Sequence, residues 1–149
     1  MKGASIYKLN DAYIIYSLSK ARSGFNIAGE PYFKMPLNTD KVALITAIKN
    51  AVNNSKEEVP DPTDWKVFKK TVIASIGIKS WNDLEKIGNL HCDIALDANN
   101  DFIFTPSKHA TPPDKGFLYK SKDHAIRVSA TTANDEIVKS LDLALSKCE

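Results

Sequence analysis

Apolar and polar positions alternate from the start of the chain. Residues 5–9 and 12–19 are rich in Ile and Tyr, and Asn10-Asp11 between them tolerates the positive φ of a tight turn, so the sequence predicts an opening β-hairpin. A third extended stretch, residues 25–35, is broken at Gly29-Glu30-Pro31. Proline cannot donate to a ladder, so a bulge or an edge position is expected there. The period then changes. Leu44, Ile45, Ile48, Ala51 and Val52 recur at helical spacing, Thr39 is placed to cap them, Asp40 suits the positive end of the dipole, and Asn53-Asn54-Ser55 ends the run.

Residues 56–64 are polar and hold Pro60 and Pro62, which predicts a surface connection. Beyond it the period is ambiguous. Trp65, Phe68, Val72 and Ile76 fit one helical face, while the β-branched cluster Thr71-Val72-Ile73 equally suits a strand. Ser80 with Asp83 three residues on resembles a capping box, and Gly88 supplies the stop of a short helix. Next, Leu90, Cys92, Ile94 and Leu96 alternate with His91, Asp93, Ala95 and Asp97, the pattern of a strand with one dry and one wet face. Ala98-Asn99-Asn100 turns it back into residues 101–105, which places Phe102 and Phe104 together on the dry side. A Pro-rich loop over 106–115 leads to Phe117-Leu118-Tyr119 and an extended piece at 125–129. A last helix follows, with Thr132 as its cap and Ile137, Leu141, Ala144, Leu145 and Cys148 on one face.

Phe33-Lys34-Met35 before a helix cap and Ile126-Arg127-Val128 before a second one give the chain two similar halves. Each reads as strands followed by a helix. The expected fold is a single α+β domain over residues 1–149, an antiparallel sheet with helices packed on it, built as two β-β-β-α halves that are either an old duplication or two uses of a common α+β unit.

Composition narrows the picture mainly by exclusion. A chain of 149 residues buries enough surface to fold without a metal or disulfide staple. Twenty Lys and Arg against eighteen Asp and Glu give +2 with the signs interspersed, which is neither a basic nucleic-acid stripe nor an acidic mimic of one. No apolar run approaches the ~20 residues of a membrane span, and no apolar signal-peptide core follows Met1, so a cytoplasmic protein is expected. Cys92 and Cys148 are too few for a disulfide framework and are expected to be small core thiols.

Candidate chemistry is sparse. Strand periodicity puts His91, Asp93 and Asp97 on one face, where they could serve a small hydrolase or a metal-dependent enzyme, but no His-Glu-x-x-His, no Cys-x-x-Cys and no third close ligand accompanies them. A solvated strand face is the simpler expectation. His109 and His124 are expected to be surface histidines. Cys92 adjoins His91, yet neighbours on a strand point to opposite faces, so that histidine does not activate that thiol. Lys66, Lys69 and Lys70 beside Trp65 and Phe68 could form a nucleic-acid-binding module, although an amphipathic element with buried aromatics accounts for them as well. Neither a catalytic residue nor a metal ligand is assigned, and no cofactor is expected. Acidic stretches remain. Glu57, Glu58, Asp61 and Asp64 carry no intervening base, and Asp93, Asp97 and Asp101 crowd the second hairpin. Such patches complement a cationic partner and speed its capture. Glu57, Glu58, Asp61, Asp64, Asp97 and Asp101 are the candidate partner-binding residues.

The last third of the chain carries a family likeness. Phe102-Ile103-Phe104-Thr105-Pro106-Ser107, Lys115-Gly116-Phe117, Ile126-Arg127-Val128, Asp135-Glu136 and Ala144-Leu145-Ser146-Lys147-Cys148 resemble the immunity proteins of bacterial contact-dependent growth inhibition. The resemblance covers about fifty residues closely and the first hundred loosely. It implies a small cytosolic α+β protein with no catalytic activity of its own. Its implied partner, bound one to one, is the C-terminal toxin domain of a large CdiA-type secreted protein, often a nuclease, which it silences by occluding the active site or the substrate path. Neither direct nucleic-acid contact nor membrane contact is implied. The charge of +2 departs from the acidic character common in inhibitors of cationic nucleases.

Overall fold

The computed structural model describes all residues from Met1 to Glu149. The opening hairpin forms as the alternation predicts: β1 (Lys2–Lys8) pairs with β2 (Ala12–Lys20) in antiparallel register, Ser5 facing Tyr16 and Lys8 facing Tyr13. Its Asn10-Asp11 turn does not use the positive φ that pair permits. β3 (Asn26–Pro36) follows at the sheet edge, and its register with β2 slips between Tyr16 and Ser17 because Glu30 and Pro31 bulge out of the ladder. Both options left open for that proline hold.

β4 (Leu90–Leu96) pairs with β1, and β5 (Asp101–His109) with β4. The connecting turn needs one left-handed residue, which Asn100 supplies at φ 61°, while the Asp97 carboxylate accepts from the backbone N–H groups of Asn99 and Asp101. Asp97 thus builds the turn. β6 (Phe117–Tyr119) and β7 (Ile126–Ser129) both lie along the far side of β5, β7 against 101–104 and β6 against 107–109. The sequence predicts this strand over 101–105, with a Pro-rich loop from Pro106. The strand instead runs through to His109. Pro106 accepts from Lys120 N–H just beyond the end of β6, so its missing N–H falls between the stretches of β5 that β6 and β7 pair with.

Strand order is β3-β2-β1-β4-β5-β6, with β7 also on β5. The antiparallel β1–β4 pair stands at the centre. Three strands, β1 to β3, lead into α1 (Lys41–Asn53) and four, β4 to β7, lead into α4 (Asn134–Ser146), and both helices pack on the same sheet face. The architecture is α+β with a seven-stranded antiparallel sheet and four helices. The core under α1 and α4 takes Ile6, Ile15, Cys92, Ile94, Phe102 and Phe104 from the strands, and Ile45, Ile48, Ile137 and Leu141 from the helices. The phenylalanine rings stack at 5.8 Å.

Two caps differ from expectation. Asp40, not Thr39, caps α1, its carboxylate accepting from Ala43 N–H at 3.0 Å. Ala133 occupies the cap position of α4, and Thr132 makes no side-chain cap bond. Residues 65–76 resolve as helix α2 (Trp65–Ile76), capped by Asp64, and α3 (Asn82–Glu85) follows after the left-handed Gly77. In α3 the box is half formed: the Asp83 carboxylate accepts from Ser80 N–H at 3.3 Å. No helix is long and apolar enough to cross a membrane.

Candidate functional site

The inserted pair α2 and α3 changes the meaning of the second sheet face. Val72, Ile76 and Leu84 bury against Tyr7, Ile14 and Tyr16, so a second, smaller apolar cluster roofs the side of the sheet that alternation marks as wet. His91 is 4% exposed and Asp93 is largely buried. The expectation of a solvated strand face at these two residues is therefore corrected. Period-2 alternation reports that two faces differ in polarity, not that the polar one meets water.

Between α2 and the sheet lies a cavity of about 540 Å³. Tyr7, Tyr16, Ser5 and His91 form its floor, Trp65, Phe68, Lys69 and Val72 its helical wall, and Trp81, Phe117 and Tyr119 the remaining sides. The His91 ring packs against Tyr7 at 4.6 Å and Phe117 at 5.1 Å, tilted by 43° and 36°. The mouth carries exposed apolar surface: Trp65 is 51% exposed and Tyr119 57%. Lys69 sits over the Trp81 ring at 5.5 Å.

The polar floor is closed on itself. The Ser107 hydroxyl gives its one hydrogen to the His91 carbonyl at 2.7 Å, so at its 3.0 Å contact with the imidazole it can only accept, and Nδ1 must carry the proton. Nε2 is then the acceptor for the Ser5 hydroxyl at 3.0 Å. Burial favours the neutral ring and lowers His91 to about 4. The Tyr7 and Tyr16 hydroxyls meet at 3.1 Å, and burial pushes Tyr7 well up and Tyr16 to about 12. Asp93, two residues from His91 on the same face, has one carboxylate oxygen buried without a hydrogen-bond partner, and burial raises it to about 6.

Chemically, the Ser5–His91 contact has the atoms of a nucleophile and a base, but it lacks the rest. The imidazole is a weak base, Ser5 is 3% exposed, and the backbone of β1, paired on both sides, has no free N–H to hold an oxyanion. The His91, Asp93 and Asp97 grouping is also dispersed. Asp97 lies at the hairpin end, bonded with Asp101 to the Arg127 guanidinium, and no cluster of three or more His, Cys, Asp or Glu side chains is arranged to hold a metal. His124 is exposed in a short 3₁₀ turn, as expected for a surface histidine. His109 is not: half-buried at the end of β5, it donates to the Asn89 carbonyl at 2.8 Å and packs against the tilted Phe117 ring at 4.5 Å.

The six acidic candidates come to one end of the sheet, or close to it, because β1 starts where β2 and β4 finish. Their roles diverge there. Asp61 bonds the backbone and hydroxyl of Ser23, Asp64 caps α2 through Lys66 and Val67 N–H, and Asp97 and Asp101 share Arg127. Glu57 pairs only with the Met1 amino group at 3.5 Å, with both partners more than half exposed, and Glu58 is exposed in a left-handed backbone conformation. Lys66 and Lys70 are exposed on α2, while Phe68 is half-buried against the sheet. Sequence reading missed the aromatic cavity. Its one advance signal was the Trp65, Phe68, Val72, Ile76 stripe, which needs a partner face that the chain does not name.

A seven-stranded antiparallel sheet with helices on it is a fold shared with solved structures. A protein of unknown function from Neisseria meningitidis, NMB0488, superposes with a TM-score of 0.74 at 23% identity, covering 99% of this chain and 95% of that one. A chain of the CdiA-CT/CdiI toxin and immunity complex from Yersinia pseudotuberculosis superposes equally, TM-score 0.74 at 18% identity, covering 99% and 97%. At these identities the likeness is one of fold. No family model matches the sequence, and neither does any curated protein.

Proposed function

We propose that this protein is the immunity component of a contact-dependent growth inhibition pair, acting in the cytoplasm without catalysis of its own. It binds the C-terminal toxin domain of a CdiA-type secreted protein, of the nuclease class, one to one, and blocks its active site or substrate path. The observation that carries this reading is the end-to-end likeness of fold to a chain of a toxin and immunity complex.

The surface chemistry supports a protein partner. A complex of about 1 nM needs roughly 12 kcal/mol net, usually from about 1,600 Å² of buried area with a few aromatic or charged anchors. Trp65 and Tyr119, each about half exposed at the cavity mouth, are anchors of that kind. The acidic segment from Glu57 to Asp64 runs directly into Trp65. We assign the contact to this continuous surface, with Glu57 and Glu58 as its available charges, Asp61 and Asp64 holding the segment in shape, and Asp97 and Asp101 at the margin.

Co-expression with the toxin domain encoded beside this chain tests the proposal. Cells are expected to survive and the two proteins to co-purify. Death of the cells with no complex recovered would overturn it.

A further inference from the structure

The two cysteines meet. Cys92 stands in the middle of β4 and Cys148 lies past the end of α4, fifty-six positions along the chain, yet their sulfurs are 3.6 Å apart. The expectation of Cys148 on the last helix is corrected: α4 ends at Ser146, and Cys148 sits in the turn beyond it, still packed against the main core. That turn is fastened. Glu149 N–H donates to the Ser107 carbonyl at 3.1 Å, His109 N–H to the Glu149 carbonyl at 2.8 Å, and Lys120 pairs with the Glu149 carboxylate at 3.2 Å. Cys148 S–H reaches the His91 carbonyl at 3.1 Å. The two thiols differ in access, since Cys92 is fully buried and Cys148 is partly exposed. The two thiols titrate as one pair, in which their mutual contact and nearby Lys120 favour the thiolate at the more accessible Cys148 while burial keeps Cys92 protonated.

We infer that Cys92 and Cys148 are a redox-responsive pair in which Cys148 reacts with hydrogen peroxide and Cys92 resolves it, tying the last residues of the sequence to the central strand. In the first step the Cys148 thiolate attacks a peroxide oxygen, the O–O bond breaks and hydroxide leaves, giving a sulfenic acid. In the second, the Cys92 sulfur attacks the Cys148 sulfur and the S–O bond breaks. The departing hydroxide takes the Cys92 proton as water. The two sulfurs lose two electrons and the peroxide gains them. Closing from 3.6 Å to a bond of about 2 Å moves only a short turn at the rim of the core. A partly exposed reactive thiol beside a resolving one is the arrangement that stops oxidation at a reversible disulfide.

The full-length chain is treated with excess hydrogen peroxide, in buffer and in urea, and followed by intact mass and peptide mapping. The expected product in buffer is a Cys92–Cys148 disulfide about 2 Da lighter than the reduced chain, reversed by dithiothreitol and formed faster than in urea. In the Cys92→Ala variant, Cys148 should halt as a sulfenic acid that dimedone traps. In Cys148→Ser, Cys92 should stay reduced. Native wild-type protein that gains about 16 or 32 Da at Cys148 while Cys92 remains free, or that resists peroxide altogether, overturns the inference. So does a disulfide formed no faster in the folded chain than in urea, and that comparison needs no variant to fold.

Discussion

At the scale of single residues, His91 and Asp93 pull the pH dependence of stability in opposite directions. Asp93 is raised from 3.8 to about 6 by burial, so the folded state binds its proton more tightly than the unfolded state does. Its penalty is complete above pH 6, amounts to about 3 kcal/mol, and disappears as the pH falls towards 3.8. His91 is lowered from 6.5 to about 4, so the stability of the neutral buried ring is present above pH 6.5 and is lost, again by about 3 kcal/mol, as the pH falls through 4. Between pH 6 and 4 the two nearly cancel in the wild-type chain. Asp93→Asn should therefore be more stable than wild type at pH 7, by up to about 3 kcal/mol, and should lose that advantage by pH 4. Urea midpoints across that range check it; a constant difference between the two proteins would refute the assignment. Nothing in the local alternation distinguishes this Asp93 from a solvated one.

At the scale of elements, the first helix separates two neighbouring cap candidates. Asp40→Ala removes the acceptor for Ala43 N–H and should cost about 1 kcal/mol, whereas Thr39→Ala should leave the urea midpoint unchanged. Equal losses from both would place the cap wrongly. The core strands make a larger prediction. Phe104 is fully buried and stacked on Phe102, so Phe104→Ala should cost about 3–5 kcal/mol, read in the same titration. Strands and helix faces were legible in the sequence because their periods are local. Leu44, Ile45, Ile48, Ala51 and Val52 are all buried on α1, as their spacing demands. The extent of β5 was not legible, since whether Pro106 can sit inside a strand depends on where β6 and β7 leave a gap.

At the scale of the whole molecule, the proposed contact makes two separable predictions. Trp65→Ala with Tyr119→Ala should weaken toxin binding at least about 100-fold while leaving the folded chain intact, because both rings are about half exposed and anchor residues dominate interface energy. Glu57→Lys with Glu58→Lys should slow association and reduce its salt dependence while changing dissociation little, as expected of exposed charges that steer. Calorimetry and surface-bound kinetics read both. Unchanged affinity in the aromatic pair would move the contact to another face, and an unaltered salt dependence in the glutamate pair would remove the acidic loop from it.

The sequence by itself determined the antiparallel hairpins, an irregularity at Glu30-Pro31, the faces of α1 and α4 and the strand-to-helix order of each half, because each is written in spacings of two to four residues. Tertiary structure decided what those faces meet. The polar side of β4 becomes the floor of an aromatic cavity only because α2, from the segment between the halves, lies across it, and Cys92 meets Cys148 only because α4 returns to the central strand. Periodicity fixes the direction in which a side chain points; what it touches depends on segments brought from far along the chain, and no local pattern encodes that.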